Sequence, residues 1–270
     1  MSIKKFDDLV AVVTGGGSGI GQALALRLAA KGCHLALVDI SRKGMQETKR
    51  KIGDAGIEVS QHVCDVSDAA AMEALAAAVV ARHGRVNLLF NNAGITYAKR
   101  FEGHTLKDWE RIIGINLWGV IHGCHFFLPH LKQQAGRAHI INLSSMVAFM
   151  GPPEQTSYAA TKSAIKGFSE SLWAELHGDG IGVTVVHPGA IRTNIMAEAL
   201  KSAEDRDAFA RTKALVERMA MPADKAARKI LKAVRRDRMR VVVGTDAAVF
   251  ESAKRALPEQ AHRMFLLMPH

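Results

Sequence analysis

Seven short runs of apolar, largely β-branched residues, separated by stretches of helical period, constrain this chain more than any other feature. The runs begin at Leu9 (LVAVVTG), His34 (HLALVD), Val59 (VSQHVCD), Val86 (VNLLFNN), His139 (HIINLSS), Gly182 (GVTVVHPG) and Met239 (MRVVVG). Between them lie segments such as QALALRLAAKG, AAMEALAAAVVARHG and WERIIGINLWGVIHGCHFFLPHL. Strands that alternate with helices build βαβ units, and βαβ units build a parallel sheet. The runs are continuously apolar rather than alternating, as strands covered by helices on both faces must be. A chain of 270 residues can bury a substantial core in such a fold. With no linker or low-complexity tract in view, the expectation is one doubly wound α/β domain over residues 1–270.

Composition narrows the function classes. The net charge of +10 raises the question of nucleic acid. The basic residues are scattered, however, with clusters only near Arg42–Lys51 and Arg235–Arg240, and no DNA-binding motif gathers them on one helix. No nucleic-acid partner is expected. Cys33, Cys64 and Cys124 lie far apart in apolar runs without metal-ligand spacing, so they read as buried small hydrophobes, and no metal site is expected. No transmembrane segment or secretory signal is read, and a soluble, cytoplasmic protein is the expectation.

The first run passes directly into Thr14-Gly15-Gly16-Gly17-Ser18-Gly19-Ile20-Gly21, and a helical pattern follows. Glycines in that position let the backbone turn sharply and come close to a pyrophosphate, while the helix start offers free N–H groups and a partial positive charge. The second run ends at Asp39, 24 residues after Gly15 (39 − 15), where an acid can accept hydrogen bonds from both ribose hydroxyls and oppose a 2′-phosphate. NAD(H) is therefore expected over NADP(H). A helix cap is the other reading of Asp39. Arg42 and Lys43 lie nearby, either as phosphate contacts or as a solvated helix start.

The spacing T-G-x-x-x-G-x-G resembles the short-chain dehydrogenase/reductase family. Further motifs match in order from about Leu9 to Thr193: Asn91-Asn92-Ala93-Gly94 after the fourth run, Asn116 within a helix, Ser145 thirteen positions before Tyr158, the Tyr158-x-x-x-Lys162 pair, and Pro188-Gly189 with Thr193 beyond. The resemblance implies a Rossmann-type fold, hydride transfer between NAD(H) and an alcohol or ketone, and a homodimer or homotetramer. It implies a cofactor site at Gly15, Gly17, Ser18, Gly19, Ile20, Gly21, Asp39, Asp65, Val66, Asn92, Ala93, Gly94, Tyr158, Lys162, Pro188, Gly189 and Thr193. Position 18, a serine where NADP-using members often carry a basic residue, agrees with Asp39.

Tyr158 and Lys162 are four apart in a helical stretch and share a face. A free phenol titrates near ~10, and bringing it to ~7 takes about 4 kcal/mol. One ammonium ~4 Å away supplies roughly that at an effective dielectric of ~20. Tyr158 is the expected general acid/base, with Lys162 stabilising its phenolate and, by the resemblance, holding the nicotinamide ribose. Ser145 stands at the carboxyl end of a strand, where a hydroxyl can hydrogen-bond a substrate oxygen; Ser144 beside it is the other candidate, and a loop cap the other role. The resemblance makes Asn116 part of a proton relay, and an ordinary interhelical hydrogen bond is the alternative. Asp65 either binds the adenine or caps a helix, with Ser67 and Asp68 competing for the cap. Asn92 either touches the ligand or braces the central strands, and Thr193 either meets the carboxamide or serves the loop.

Tyr97, Met146, Phe149, Met150, Ile191, Ile195 and Met196 are expected around the substrate, as an apolar wall or as core, and suggest a hydrophobic secondary alcohol or ketone. Residues 190–221 resemble a substrate lid, and 246–270 form a C-terminal extension ending in Met264-Phe265-Leu266-Leu267-Met268. The segment Trp109–Leu131 is apolar nearly all round, more than one sheet contact needs, which points to a subunit interface. Two alternatives stay open: an NADP(H)-dependent ketone reductase, and a non-catalytic nucleotide sensor, which would have dispensed with the tyrosine or the lysine.

Overall fold

The computed structural model describes residues 3–203, 210, 214, 218 and 220–263. Seven parallel strands form the central sheet: β1 (Val10–Thr14), β2 (His34–Asp39), β3 (Val59–Val63), β4 (Leu88–Asn91), β5 (Ala138–Leu143), β6 (Ile181–Pro188) and β9 (Arg240–Val243). Their order is β3-β2-β1-β4-β5-β6-β9, so the winding reverses between β1 and β4. Ala11 sits beside Leu35 on one side and Leu88 on the other. Open α/β sheets bind ligands at such a reversal, beyond the carboxyl ends of the strands. The α/β doubly wound expectation holds.

The apolar runs are continuous because each strand serves two cores. On one face Ala11, Val13, Leu35, Leu37 and Phe90 meet α1 (Gly19–Ala29) and α8 (Ala223–Arg235) through Leu24, Leu28, Ile230 and Val234. On the other face Val12, Ala36, Val38 and Leu89 meet α3 (Ala69–His83), α5 (Gly119–Lys132) and α6 (Thr156–Leu176) through Met72, Val79, Phe127 and Ile165. Truncating a fully buried leucine such as Leu24 to alanine costs about 2–5 kcal/mol in a core of this kind. All three cysteines are buried and free, and burial pushes the Cys33 and Cys124 thiols up to about 12.

Local chemistry places the helix ends. Ser41 caps α2 (Arg42–Ile52) by accepting the Gly44 N–H, and Asp68 caps α3 by accepting the Ala71 N–H. Thr105 and Asp108 form a reciprocal capping box at the start of α4 (Leu106–Ile113). The basic cluster at Arg42–Lys51 lies largely on the exposed side of α2, as a solvated face.

Three features depart from the sequence pattern. The apolar helical segment is interrupted by one π-helical stretch, Gly114–Trp118, between α4 and α5. A second, two-residue parallel pair joins β7 (Ile191–Arg192) to β8 (Met221–Pro222). The C-terminal extension folds back as α9 (Thr245–Ala256) and α10 (Gln260–Arg263) and packs Phe250, Ala253 and Ala261 on Met150. The expected tail Met264–Met268 and much of the expected lid lie outside the described residues. The helix Leu106–Lys132 is long and apolar enough to cross a membrane by composition; here its Val120, Cys124, Phe127 and Leu131 are buried in the core.

Candidate active site

A cleft of about 1010 Å³ opens at the carboxyl ends of the strands. One end is the β1–α1 turn. Gly15 and Gly19 adopt φ of 66° and 53°, which a side chain would strain. The α1 N-cap, Ser18, makes no side-chain capping bond, so the first N–H groups of the helix face the cleft uncapped by it. Asp39 binds this turn directly. Its Oδ2 accepts the Gly17 N–H at 2.9 Å and its Oδ1 accepts the Ser41 N–H at 2.9 Å. The cap of α2 belongs to Ser41, so the helix-cap reading of Asp39 fails, and Asp39 lines the cleft, as Lys43 does.

Asp65 is likewise not a helix cap. It accepts from Ser67 N and Oγ at 2.9 and 2.7 Å and stays exposed in the cleft, with Val66 next to it, while Asp68 caps α3. Asn92 braces strands: its Nδ2 donates to Thr14 O at 2.8 Å. Thr14 Oγ1 in turn accepts from the N–H groups of Asn92 and Ala93 at 2.9 and 3.0 Å. Asn92, Ala93 and Gly94 nevertheless line the cleft.

The other end of the cleft gathers Ser145, Tyr158 and Lys162. The two serines after β5 divide their work. Ser144 Oγ donates to Lys162 O at 2.7 Å, anchoring α6 to the sheet. Ser145 Oγ accepts only a long contact of 3.4 Å from Val147 N in the following turn, and it hydrogen-bonds the Tyr158 side chain. Lys162 Nζ donates to Leu143 O at 2.8 Å and lies 5.6 Å from the centroid of the Tyr158 ring. Burial dominates both titrations: it pushes the Tyr158 hydroxyl up to about 12, against the Ser145 hydrogen bond, and Lys162 down to about 8. Burial disfavours both charged forms, and the lysine spends a hydrogen bond on Leu143 O.

Asn116, fully buried in the π-helical stretch, does not line the cleft. Its Oδ1 accepts from Ile95 N at 2.9 Å, and its Nδ2 donates to Ile95 O at 2.9 Å and to Thr161 Oγ1 at 3.2 Å. It thereby ties the loop after β4 to the helix that carries Tyr158 and Lys162. Gly21 is the other expected site residue outside the cleft. A Cβ there would collide with Gly15 O, so its role is the close packing of α1 on the turn. Pro188, Gly189 and Thr193 line the cleft, and Thr193 Oγ1 accepts a long bond of 3.5 Å from Ile195 N.

The short chain dehydrogenase family model matches residues 9–204. The chain belongs to the short-chain dehydrogenase/reductase family. Among this family's members it is 38% identical to the oxidoreductase SadH of Mycobacterium tuberculosis over 266 residues, 97% of this chain and 95% of that one. It is 36% identical to levodione reductase of Leifsonia aquatica over 200 residues, 73% of this chain and 74% of that one. A short-chain dehydrogenase/reductase structure from Burkholderia phymatum in complex with NAD superposes with a TM-score of 0.86 at 29% identity, covering 96% of each chain.

The apolar wall expected of this dehydrogenase is only partly there. Ile191 and Ile195 line the cleft; Tyr97, Met146, Phe149, Met150 and Met196 do not. Phe149 stacks on His187 at 4.4 Å between ring centroids, and Met150 is buried against the C-terminal helices. Met150 is core because α9 and α10 fold over it, while Phe149 is half-buried between His187 and Arg240. Sequence reasoning missed Thr14 and Thr161, both inside quoted motifs, and Asp246, whose Oδ2 accepts the Ala190 N–H at 2.6 Å from outside every motif.

Proposed function

We propose that this short-chain dehydrogenase/reductase moves a hydride between NAD(H) and a hydrophobic secondary alcohol or its ketone, with Tyr158 as general acid/base. One observation carries the reading: a single cleft is lined by Asp39 and the glycine turn, after β2 and β1, and by Ser145, after β5, with Tyr158 and Lys162. The residues fit a dinucleotide. A Cβ on Gly17 would stand 2.8 Å from Asp39 Oδ2, so the turn stays bare beside the carboxylate, and the α1 N-terminus suits a pyrophosphate. Each Asp39 oxygen has a lone pair left for a ribose hydroxyl after its backbone bond.

When bound, NAD(H) would supply the hydride donor or acceptor. The chain's own residues manage the proton and the geometry. Tyr158 exchanges its hydroxyl proton with the substrate oxygen. Ser145, with its hydroxyl only weakly engaged elsewhere, orients that oxygen. Lys162, pinned by Leu143 O and close to Gly94, places its ammonium beside the phenolate and within reach of a ribose. Asn116 holds the helix turn beneath them. Ile191 and Ile195 favour an apolar substituent on the substrate.

One observation favours the NADP(H) reading: Lys43 lines the cleft near Asp39. A carboxylate already in the cleft outweighs a flexible lysine at its edge, and NAD(H) is preferred. An intact tyrosine and lysine on one helix face argue against a non-catalytic sensor. Residues 190–221 act as a lid in this reading; Met221 N–H donates to Ala190 O at 2.9 Å, so the segment leaves and returns through one narrow neck at β7 and β8. The test is a turnover screen of hydrophobic secondary alcohols with NAD and ketones with NADH. Turnover with neither set, in protein that binds NADH, would leave the catalytic reading without support.

A further inference from the structure

The C-terminal extension lies beyond the residues that the family model matches, 9–204, yet it reaches the reacting end of the cleft. β9 runs beside β6 with Val243 opposite Pro188, and the Gly189 N–H donates to Val243 O at 2.8 Å. Helix α9 begins immediately after, and Asp246 stands in its first turn. From there Asp246 Oδ2 accepts the Ala190 N–H at 2.6 Å. Two glycines make room for the carboxylate. A Cβ on Gly189 would collide with both of its oxygens, and a Cβ on Gly244 with Oδ1. Gly244 has φ 128°, a conformation that itself favours glycine. Gly189 is not among the positive-φ glycines, so the Asp246 carboxylate, rather than the backbone, is what excludes a side chain there.

The turn held in this way is part of the site. Pro188 and Gly189 line the cleft, and Pro188 ends β6 beside β5, the strand before Ser145, whereas Asp39 ends β2 on the far side of β1 and β4. A hydride-bearing ring has to lie at the Tyr158 end, so this turn flanks the nicotinamide half of a dinucleotide. A hydrogen bond to a carboxylate acceptor is roughly twice as strong as one between neutral groups.

We propose that Asp246 is a positioning residue whose carboxylate holds the Gly189–Ala190 turn in the shape that receives the nicotinamide half of the cofactor. The inference rests on the NAD(H) reading above. The same extension also packs on Met150, just after the Ser145 turn, so one segment braces two loops around the reacting end.

The experiment compares binding of NADH and of ADP-ribose, which lacks the nicotinamide, to wild type, Asp246→Ala and Asp246→Asn, by calorimetry. Asp246→Ala is expected to weaken NADH about tenfold while leaving ADP-ribose within about twofold, the size of one lost charge-assisted hydrogen bond. Asp246→Asn keeps an acceptor oxygen and is expected to recover most of that loss. Hydrogen exchange in the ligand-free proteins supplies a second readout: the Ala190 amide, protected in wild type, exchanges faster in Asp246→Ala. Equal weakening of both ligands, or of neither, in folded Asp246→Ala overturns the positioning role alone. A wild-type chain that binds neither ligand overturns the cofactor reading and this inference with it.

Discussion

Ser144 and Ser145 are adjacent hydroxyls at the end of one strand, and a single hydrogen bond separates their roles. Ser144 is committed to the Lys162 carbonyl, which leaves Ser145 for the ligand side. The family spacing favours Ser145, thirteen positions before Tyr158, and Ser144 is the other candidate beside it. Tyr158 and Lys162 were legible as a helical pair, but not their pocket, where burial opposes both charges. Tyr158→Phe should lower kcat by more than about 100-fold, because only the proton-carrying oxygen is removed. NADH affinity, measured on the same sample, should stay near wild type. A kcat within about tenfold of wild type, about 1.4 kcal/mol in barrier, would reject Tyr158 as the acid/base. Asp39→Ala should raise the NADP(H)-to-NAD(H) ratio of kcat/KM by about tenfold or more, since a unit charge near a 2′-phosphate costs a few kcal/mol before screening. An unchanged ratio would remove Asp39 as the cause of any preference. Its bonds to Gly17 and Ser41 add an expected loss of affinity for both cofactors in the mutant.

Elements were legible where hydrophobic period and caps agree, and less so where a polar side chain bends the pattern. The segment Trp109–Leu131 reads as one helix in sequence; in the structure its π-helical stretch at Gly114–Trp118 contains Asn116, whose amide bonds both Ile95 and Thr161. Period analysis cannot register one extra residue in a turn. The same helix buries one side in the core yet leaves Trp118 51% exposed, in ring contact with His122, which in turn meets Phe126. A one-sided sheet contact needs no such stripe, so self-association through this helix is expected. Light scattering at micromolar concentration should give a mass at least twice 29.2 kDa. A monomer at that concentration would contradict the assembly. The two-residue β7–β8 pair was invisible in sequence because two residues carry no period at all.

At the scale of the molecule, the sheet buries polar groups as well as apolar ones, and two of them set an acid limit. His139 and His187 are fully buried, and burial holds both down at about 4, against 6.5 for an exposed imidazole. Between those values the unfolded chain binds protons that the folded chain does not. Stability is therefore fully present above about pH 6.5 and is lost as pH falls toward about 4. Urea midpoints should be level above about pH 6.5 and lower at pH 5, by about 2 kcal/mol of unfolding free energy per histidine. Midpoints independent of pH across that window would show that these imidazoles are not held neutral by the fold. Thr184 donates to Arg238 O and so accepts from His139 Nε2; His187 Nδ1 faces Ser145 O at 3.2 Å. Neither partner could be named from sequence, because each lies more than 40 residues away. The sequence by itself determined the doubly wound sheet, the glycine turn, the acid after β2 and the Tyr158–Lys162 pair. Those depend on local period, backbone freedom and spacing within one turn or one helix. Only the packing settled that Ser144 is tied to the Lys162 carbonyl, which of the expected apolar residues line the cleft, and that Asp246 grips the turn after β6. Each of these is a competition for a hydrogen bond or for space between segments far apart in the chain, and only packing settles such a competition.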